Sequence, residues 1–92
     1  METVEEKLER YLELTKEAIF KVKIKNGNSE LIAKDFLDMA KRYYKDAEYF
    51  NSKGEKLNAL VAVTYAHAFL DAGARAKVFD VKDSRLFMVD EE

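Results

Sequence analysis

The chain of 92 residues is 48% hydrophobic and 37% charged, which suits one ordered domain with an apolar core and argues against intrinsic disorder. It contains no cysteine, which excludes disulfides, thiolate metal sites and cysteine nucleophiles. The formal net charge of −2, from 16 basic and 18 acidic residues, argues against nucleic-acid binding by the surface as a whole.

The first predicted element is an amphipathic helix over residues 3–24. Thr3, followed three residues later by Glu6, has the pattern of a capping box, in which each side chain bonds a free backbone N–H of the first turn. Steps of three or four residues then mark one predominantly apolar face of the helix, formed by Val4, Leu8, Tyr11, Thr15, Ala18 and Val22. Gly27 lies in the polar turn that ends this pattern.

Two further helices are predicted over residues 29–52 and 55–79, separated by a turn at Gly54. No proline interrupts any of the three segments, and each would be roughly 33 Å long at 1.5 Å per residue. Short turns force consecutive helices to run antiparallel. The sequence therefore predicts an all-α, up-down-up three-helix bundle, with residues 1–92 as a single domain.

Residues 80–92 are predicted to form a short C-terminal tail, because the helical pattern fails there. The run from Leu86 to Val89 is apolar, and four such side chains in water would be unfavourable. We therefore expect this run to be extended and packed back on the bundle.

The third helix is apolar around nearly its whole circumference, which is typical of a helix buried on nearly all sides. Two partner helices cover only about half of it, so either the tail or a second protein chain must cover the rest. A helical wheel predicts an inward arc of Leu57, Leu60, Val61, Thr64, Ala68 and Val78. The candidate interaction surface on the opposite side is Tyr65, Ala66, Phe69, Leu70 and Gly73.

A polar set, His67, Asp71 and Arg75, is spaced by four residues and stacks along the predicted inward arc. A buried carboxylate needs a partner, which Arg75, His67 or the hydroxyl of Tyr43 would provide. We interpret the set as a structural cluster that fixes the helix register; the alternative is a ligand or catalytic site. No cofactor and no metal site are expected, because two ligands from one helix are too few and Thr64 stands where a di-iron bundle requires glutamate.

One pole of the predicted bundle is basic, because the ends of the first and third helices meet there. Lysines at helix C-termini are simply explained by the helix dipole. The alternative is a site for an anion or nucleic acid. The lysines assigned to that alternative are Lys21, Lys23, Lys25 and Lys77.

The second half of the chain carries several short motifs, which are Asp46-Ala47, Tyr49-Phe50, Gly54-Glu55, Asn58-Ala59-Leu60 and the stretch Tyr65-Ala66-His67-Ala68-Phe69-Leu70-Asp71-Ala72-Gly73-Ala74-Arg75. These motifs resemble the archaeal family catalogued as domain of unknown function 357. The resemblance implies a three-helix bundle and an archaeal origin, and it implies no established activity.

These patterns together predict a non-enzymatic helical protein that acts through its third helix. The partner is expected to be a second copy, giving a homodimer, or another protein, with nucleic acid disfavoured. No segment has the layout of a signal peptide, and no uncharged stretch is long enough to cross a bilayer, so a cytoplasmic protein is expected. The composition, rich in lysine and glutamate without proline, favours a thermophilic source.

Overall fold

The computed structural model describes residues 1–89 and contains three helices, α1 (Val4–Lys21), α2 (Glu30–Ser52) and α3 (Lys56–Arg75). The predicted all-α three-helix bundle is confirmed. α3 packs on both other helices, most extensively on α2, whereas α1 and α2 touch each other only slightly. The part of the predicted tail at residues 90–92 lies outside the described residues.

α1 begins where the capping pattern places it. The Glu6 backbone N–H donates to Thr3 Oγ1 at 3.1 Å, and the Thr3 N–H donates to Glu6 Oε1 at 3.0 Å. The predicted end at residue 24 is wrong, because α1 stops at Lys21 and the next residues are extended. Their backbone pairs with the chain beyond α3: the Lys25 N–H donates to the Val78 carbonyl at 3.0 Å.

α3 ends at Arg75, four residues before the predicted end at 79. Lys77 adopts a left-handed backbone conformation with φ of 61°. The Val78 N–H then donates to the Gly73 carbonyl, and the Lys77 N–H to the Ala74 carbonyl, each at 3.1 Å. This is a Schellman motif, which satisfies the last carbonyls of a helix. It turns the Phe79 ring directly onto Gly73, where even one added Cβ atom would overlap the ring.

The seam between α2 and α3 is built from small side chains. α2 buries Ala33, Ala40 and Ala47, which are fully inaccessible and spaced by seven residues. Such side chains let helix axes approach closely. The side chains that α3 buries are also mostly small: Ala59, Ala62, Val63, Ala66, Leu70, Gly73 and Ala74.

The predicted inward arc of α3 is wrong for four of its six members: Leu57 and Val61 are 67% and 50% exposed, and Thr64 and Ala68 are exposed too. The other two, Leu60 and Val78, pack in or against the core as predicted. The predicted interaction surface is wrong for three of its members, which are core residues. The other two contact α2, and of these Tyr65 is also 55% exposed. A wheel weights large apolar side chains, so it cannot recognise a seam of alanine and glycine. The core members are Ala66, Leu70 and Gly73, and the α2 contacts are made by Tyr65 and Phe69.

The C-terminal tail packs on the bundle, as predicted. Leu86 and Phe87 are almost completely buried, in a cluster that includes Ala18 of α1 and Leu70 of α3. The expected extended conformation is wrong for Leu86 and Phe87, because both lie in a tight turn that brings their side chains into the core. Their N–H groups donate to the Asp83 carbonyl at 3.1 and 3.0 Å. The chain itself thus covers part of the side of α3 that α1 and α2 leave open.

Candidate functional site

His67 joins α1, α3 and the tail. Its Nδ1 lies 2.9 Å from Thr15 Oγ1, and its Nε2 lies 2.7 Å from the Leu86 carbonyl oxygen. A carbonyl only accepts, so Nε2 carries a proton and donates it to Leu86, while Nδ1 and the Thr15 hydroxyl share a second hydrogen bond. Both ring nitrogens are therefore bonded. Its side chain is only 13% exposed.

Asp71 lies one turn along α3 and also contacts the tail. Its Oδ1 accepts a hydrogen bond from the Met88 N–H at 2.9 Å and lies 3.8 Å from His67 Nε2. The structure therefore brings His67 and Asp71 together on the side of α3 that faces the tail. Both side chains bond its backbone, so their geometry is that of a clamp on residues 86–88.

The other two members of the predicted polar set lie elsewhere. Arg75 is exposed at the end of α3, not on an inward arc. Tyr43, suggested as a hydroxyl partner for Asp71, instead stacks on Tyr65 and Phe69, with ring centroids 5.4 and 6.0 Å apart. This aromatic contact between α2 and α3 fixes the position of the Tyr43 side chain.

Thr15 and the tail backbone are the partners that the sequence pattern did not identify. Thr15 is completely buried on α1, at a position that the periodicity assigned to the apolar stripe. A hydroxyl on such a stripe was the available signal, because a buried hydroxyl needs a hydrogen-bond partner. No sequence signal pointed to the Leu86 carbonyl, because backbone groups are the same in every residue.

An ion pair fastens the turn of the tail to α1. The Arg85 guanidinium donates to Glu17 Oε2, and Lys21 lies 3.1 Å from the same oxygen. The bonds from Arg85 and Lys21 hold the pKa of Glu17 below its ordinary value of 4.5. The pair is exposed, so salt and solvent weaken it.

A second candidate site is the outward side of α3, here called the exposed α3 face. Its residues fall within about 100° of the helix circumference and carry no charge. Leu57, Val61 and Tyr65 on it are 67%, 50% and 55% exposed. The face consists of Leu57, Val61, Thr64, Tyr65, Ala68 and Ala72.

The basic pole is the third candidate site, and the structure brings its four predicted lysines to one end of the bundle. They line two adjacent depressions that share residues 80–82. Lys25 and Lys77 line the larger depression, and Lys21 and Lys23 line the smaller one.

No cluster of three or more potential metal-ligating side chains occurs among residues 1–89. None of the helices there combines the length and the apolar character that a membrane span requires.

Comparison with known proteins gives one match. No curated protein and no solved structure matches the chain. A family model described as "Protein of unknown function (DUF357)" matches residues 10–79, which include most of the three helices and the two clamp residues of α3. The chain therefore belongs to the family of proteins of unknown function DUF357.

Proposed function

We propose that this protein is a non-enzymatic interaction module that associates with a second copy of itself through the exposed α3 face. One observation carries the proposal: the face is apolar, uncharged and open. Between Leu57 and Leu70 the sequence has no acidic or basic residue other than His67, although 37% of the chain is charged. Contiguous apolar surface of this kind usually marks an interaction site.

The distribution of side-chain size along the face favours a second copy. Large residues, Leu57 and Val61, lie in its first half, and Ala68 and Ala72 lie in its second half. If two copies pair antiparallel about a two-fold axis near Thr64, the large residues of each fit over the alanines of the other. A two-fold interface requires this self-complementarity.

The charges at the two ends of α3 also favour antiparallel pairing of the two copies. Antiparallel pairing brings Glu55 of one copy near residues 75–77 of the other, where Arg75 and Lys77 are basic. A parallel pairing would instead place like charges side by side. Complementary charge of this kind selects orientation more than it adds affinity.

One helix face is smaller than the roughly 800 Å² that each partner usually buries in a stable complex. We therefore expect weak dimerisation, with a dissociation constant nearer micromolar than nanomolar.

Sedimentation velocity across a range of protein concentration tests the proposal. Val61→Glu would place a charge in the interface, so the variant is expected to stay monomeric where the parent chain dimerises. Val4→Glu is the matched control, because Val4 is also 50% exposed and lies on α1. A parent chain that stays monomeric at millimolar concentration, or equal effects of both substitutions, would overturn the proposal.

The register can be tested by cysteine cross-linking, since the chain has no cysteine of its own. Thr64→Cys near the two-fold axis should form a disulfide-linked dimer on mild oxidation, because the two Cβ atoms would come close enough. Leu57→Cys should not, since antiparallel pairing separates its two copies. Cross-linking by both variants would indicate parallel pairing.

The clamp geometry supports a structural role for His67 and Asp71. Both ring nitrogens of His67 and one Asp71 oxygen already bond Thr15 or the tail backbone. A general acid or base must instead reach a substrate proton. If His67 and Asp71 formed a ligand or catalytic site, a variant of either residue would keep its fold and lose a binding activity. A structural role instead predicts that such a variant loses stability.

A further inference from the structure

A groove of about 840 Å³ lies at the basic pole, where three separate parts of the chain meet. Antiparallel pairing of Ile24 with Phe79 brings the segment after α1 beside the chain that leaves α3. The Asp80 N–H donates to the Lys23 carbonyl at 2.7 Å and fixes this crossing. Met88 and Val89 of the tail form a further wall. The groove is thus a product of the tertiary fold.

Among the lining residues that the structure describes, the basic side chains outnumber the acidic ones. Lys25, Arg75, Lys77 and Lys82 line it, against Asp80 as the acidic group. The C-terminus of α3 adds only about half a negative charge. Lys25, Lys77 and Lys82 make no ion pair among residues 1–89, so their charges are not neutralised there.

Lys77 occupies a backbone conformation that glycine adopts more easily. Its φ of 61° places it at the left-handed position of the Schellman motif, where a side chain costs free energy. The motif satisfies the helix carbonyls through backbone N–H groups, so it does not need the lysine ammonium. A strained residue whose side chain lines a cavity is a reason to consider a binding role.

We propose that this groove binds phosphate groups of an organic phosphate. Lysine and arginine side chains form charge-assisted hydrogen bonds to phosphate oxygens. Val81 and Met88 give the groove an apolar part against which a base or sugar would pack. Its volume lies within the range of sites for small ligands. Such phosphate groups belong either to a free nucleotide or to a single-stranded nucleic acid. A nucleic acid would continue past Lys82 into the depression lined by Lys21 and Lys23.

Calorimetric titration with pyrophosphate at low salt tests the groove. A triple variant, Lys25→Gln, Lys77→Gln and Lys82→Gln, should bind at least about tenfold more weakly than the parent chain. The control triple Lys16→Gln, Lys41→Gln and Lys45→Gln removes the same charge from the other side of the bundle, where these lysines line a different depression. It should bind within about twofold of the parent chain.

Lys77→Gly separates a binding role from a structural one. Glycine relieves the left-handed strain, so the melting temperature should rise while the affinity for pyrophosphate falls. Val61→Glu should bind pyrophosphate at least as tightly as the parent chain, because the groove forms within one copy and dimerisation would only bring Glu55 of the second copy near Lys77. The two proposals can therefore fail independently.

A second titration with an oligothymidylate identifies the source of the phosphate. Tighter binding than pyrophosphate, with an affinity that falls steeply with salt, would indicate nucleic acid. Binding of pyrophosphate alone would indicate a small phosphorylated ligand. If neither probe binds, or if both triple variants lose affinity equally, the proposal is overturned.

Discussion

His67 connects three parts of the chain through one side chain. Replacing it with alanine would remove both hydrogen bonds and leave the buried Thr15 hydroxyl and the Leu86 carbonyl without their partner. Each such loss is worth about 1–3 kcal/mol when the remaining group stays buried. We expect His67→Ala to lower the free energy of unfolding in urea by about 2–3 kcal/mol.

Two comparisons make this prediction specific to the clamp. Thr15→Val keeps the shape of the side chain and removes one of the two bonds, so it should lower the free energy of unfolding less than His67→Ala does. Ala68→Gly, on the exposed neighbour in the same helix, controls for backbone effects and should cost about 1 kcal/mol. A free energy of unfolding unchanged by His67→Ala would show that the clamp does not stabilise the tail.

Gly73 lies where two effects of a substitution oppose each other. Alanine is favoured over glycine within a helix by about 1 kcal/mol. The added Cβ would overlap the Phe79 ring, however, and overpacking of a core commonly costs about 1–3 kcal/mol. We expect overlap to dominate, so that Gly73→Ala lowers the free energy of unfolding by about 1–2 kcal/mol.

A double-mutant cycle with Phe79→Ala tests this explanation. When the ring is absent, Gly73→Ala should become neutral or stabilising, because only the helix preference remains. If Gly73→Ala destabilises both backgrounds equally, the Phe79 ring is not the cause.

At the scale of the element, the tail is fastened by a contact that depends on pH. The pKa of Glu17 is lowered by Arg85 and Lys21, so the folded-state value lies below the unfolded one. The pair therefore contributes its full stability at a pH above the ordinary pKa of Glu17. This contribution is lost as the pH falls through the lowered pKa of Glu17 in the folded protein. We expect the protection of the Phe87 amide against hydrogen exchange to decrease over that acidic range.

Arg85→Gln provides the control for that measurement. It removes the main cause of the shift, so an NMR titration should show the pKa of Glu17 move upward, towards its ordinary value. The acid dependence of Phe87 protection should also become weaker. A Glu17 pKa that is the same in both proteins would contradict the role assigned to Arg85.

α3, like α2, buries mostly small side chains and leaves large apolar ones exposed. Ala66, Gly73 and their small neighbours face the core, while Leu57 and Val61 face outward. Close approach to the alanines of α2 compensates, since tight packing between small residues gains dispersion contacts along the whole seam. This arrangement leaves Leu57 and Val61 exposed on the outward side of α3.

At the scale of the whole molecule, the arrangement of the helices explains why one face of α3 is open. The Cα trace extends 42 × 27 × 16 Å, so the bundle is flattened. α3 lies between α1 and α2, which barely touch each other, and the tail covers the side of α3 near α1. Residues 1–89 therefore leave the exposed α3 face uncovered, and the basic groove lies apart from most of it, at the end of α3.

The sequence by itself determined the number and type of the elements, the capped start of α1 and the packing of the tail. These follow from local signals: the Thr3–Glu6 pattern, periodicity within each helix, glycine between helices, and the apolar run at Leu86–Val89. It also placed His67 and Asp71 on one side of α3. Each of these features depends on residues within a few positions of one another.

Only the tertiary structure decided which side of α3 faces the core and where α1 and α3 end. A helix that is apolar all round has no preferred inward direction, so the fit to the alanines of α2 sets its rotation. The end of α1 depends on pairing between Ile24 and Phe79, which are distant in sequence. The end of α3 depends on a left-handed backbone turn that places the Phe79 ring over Gly73. Contacts of this kind leave no periodic signal in the chain, because their free energy arises only when the packed surfaces meet.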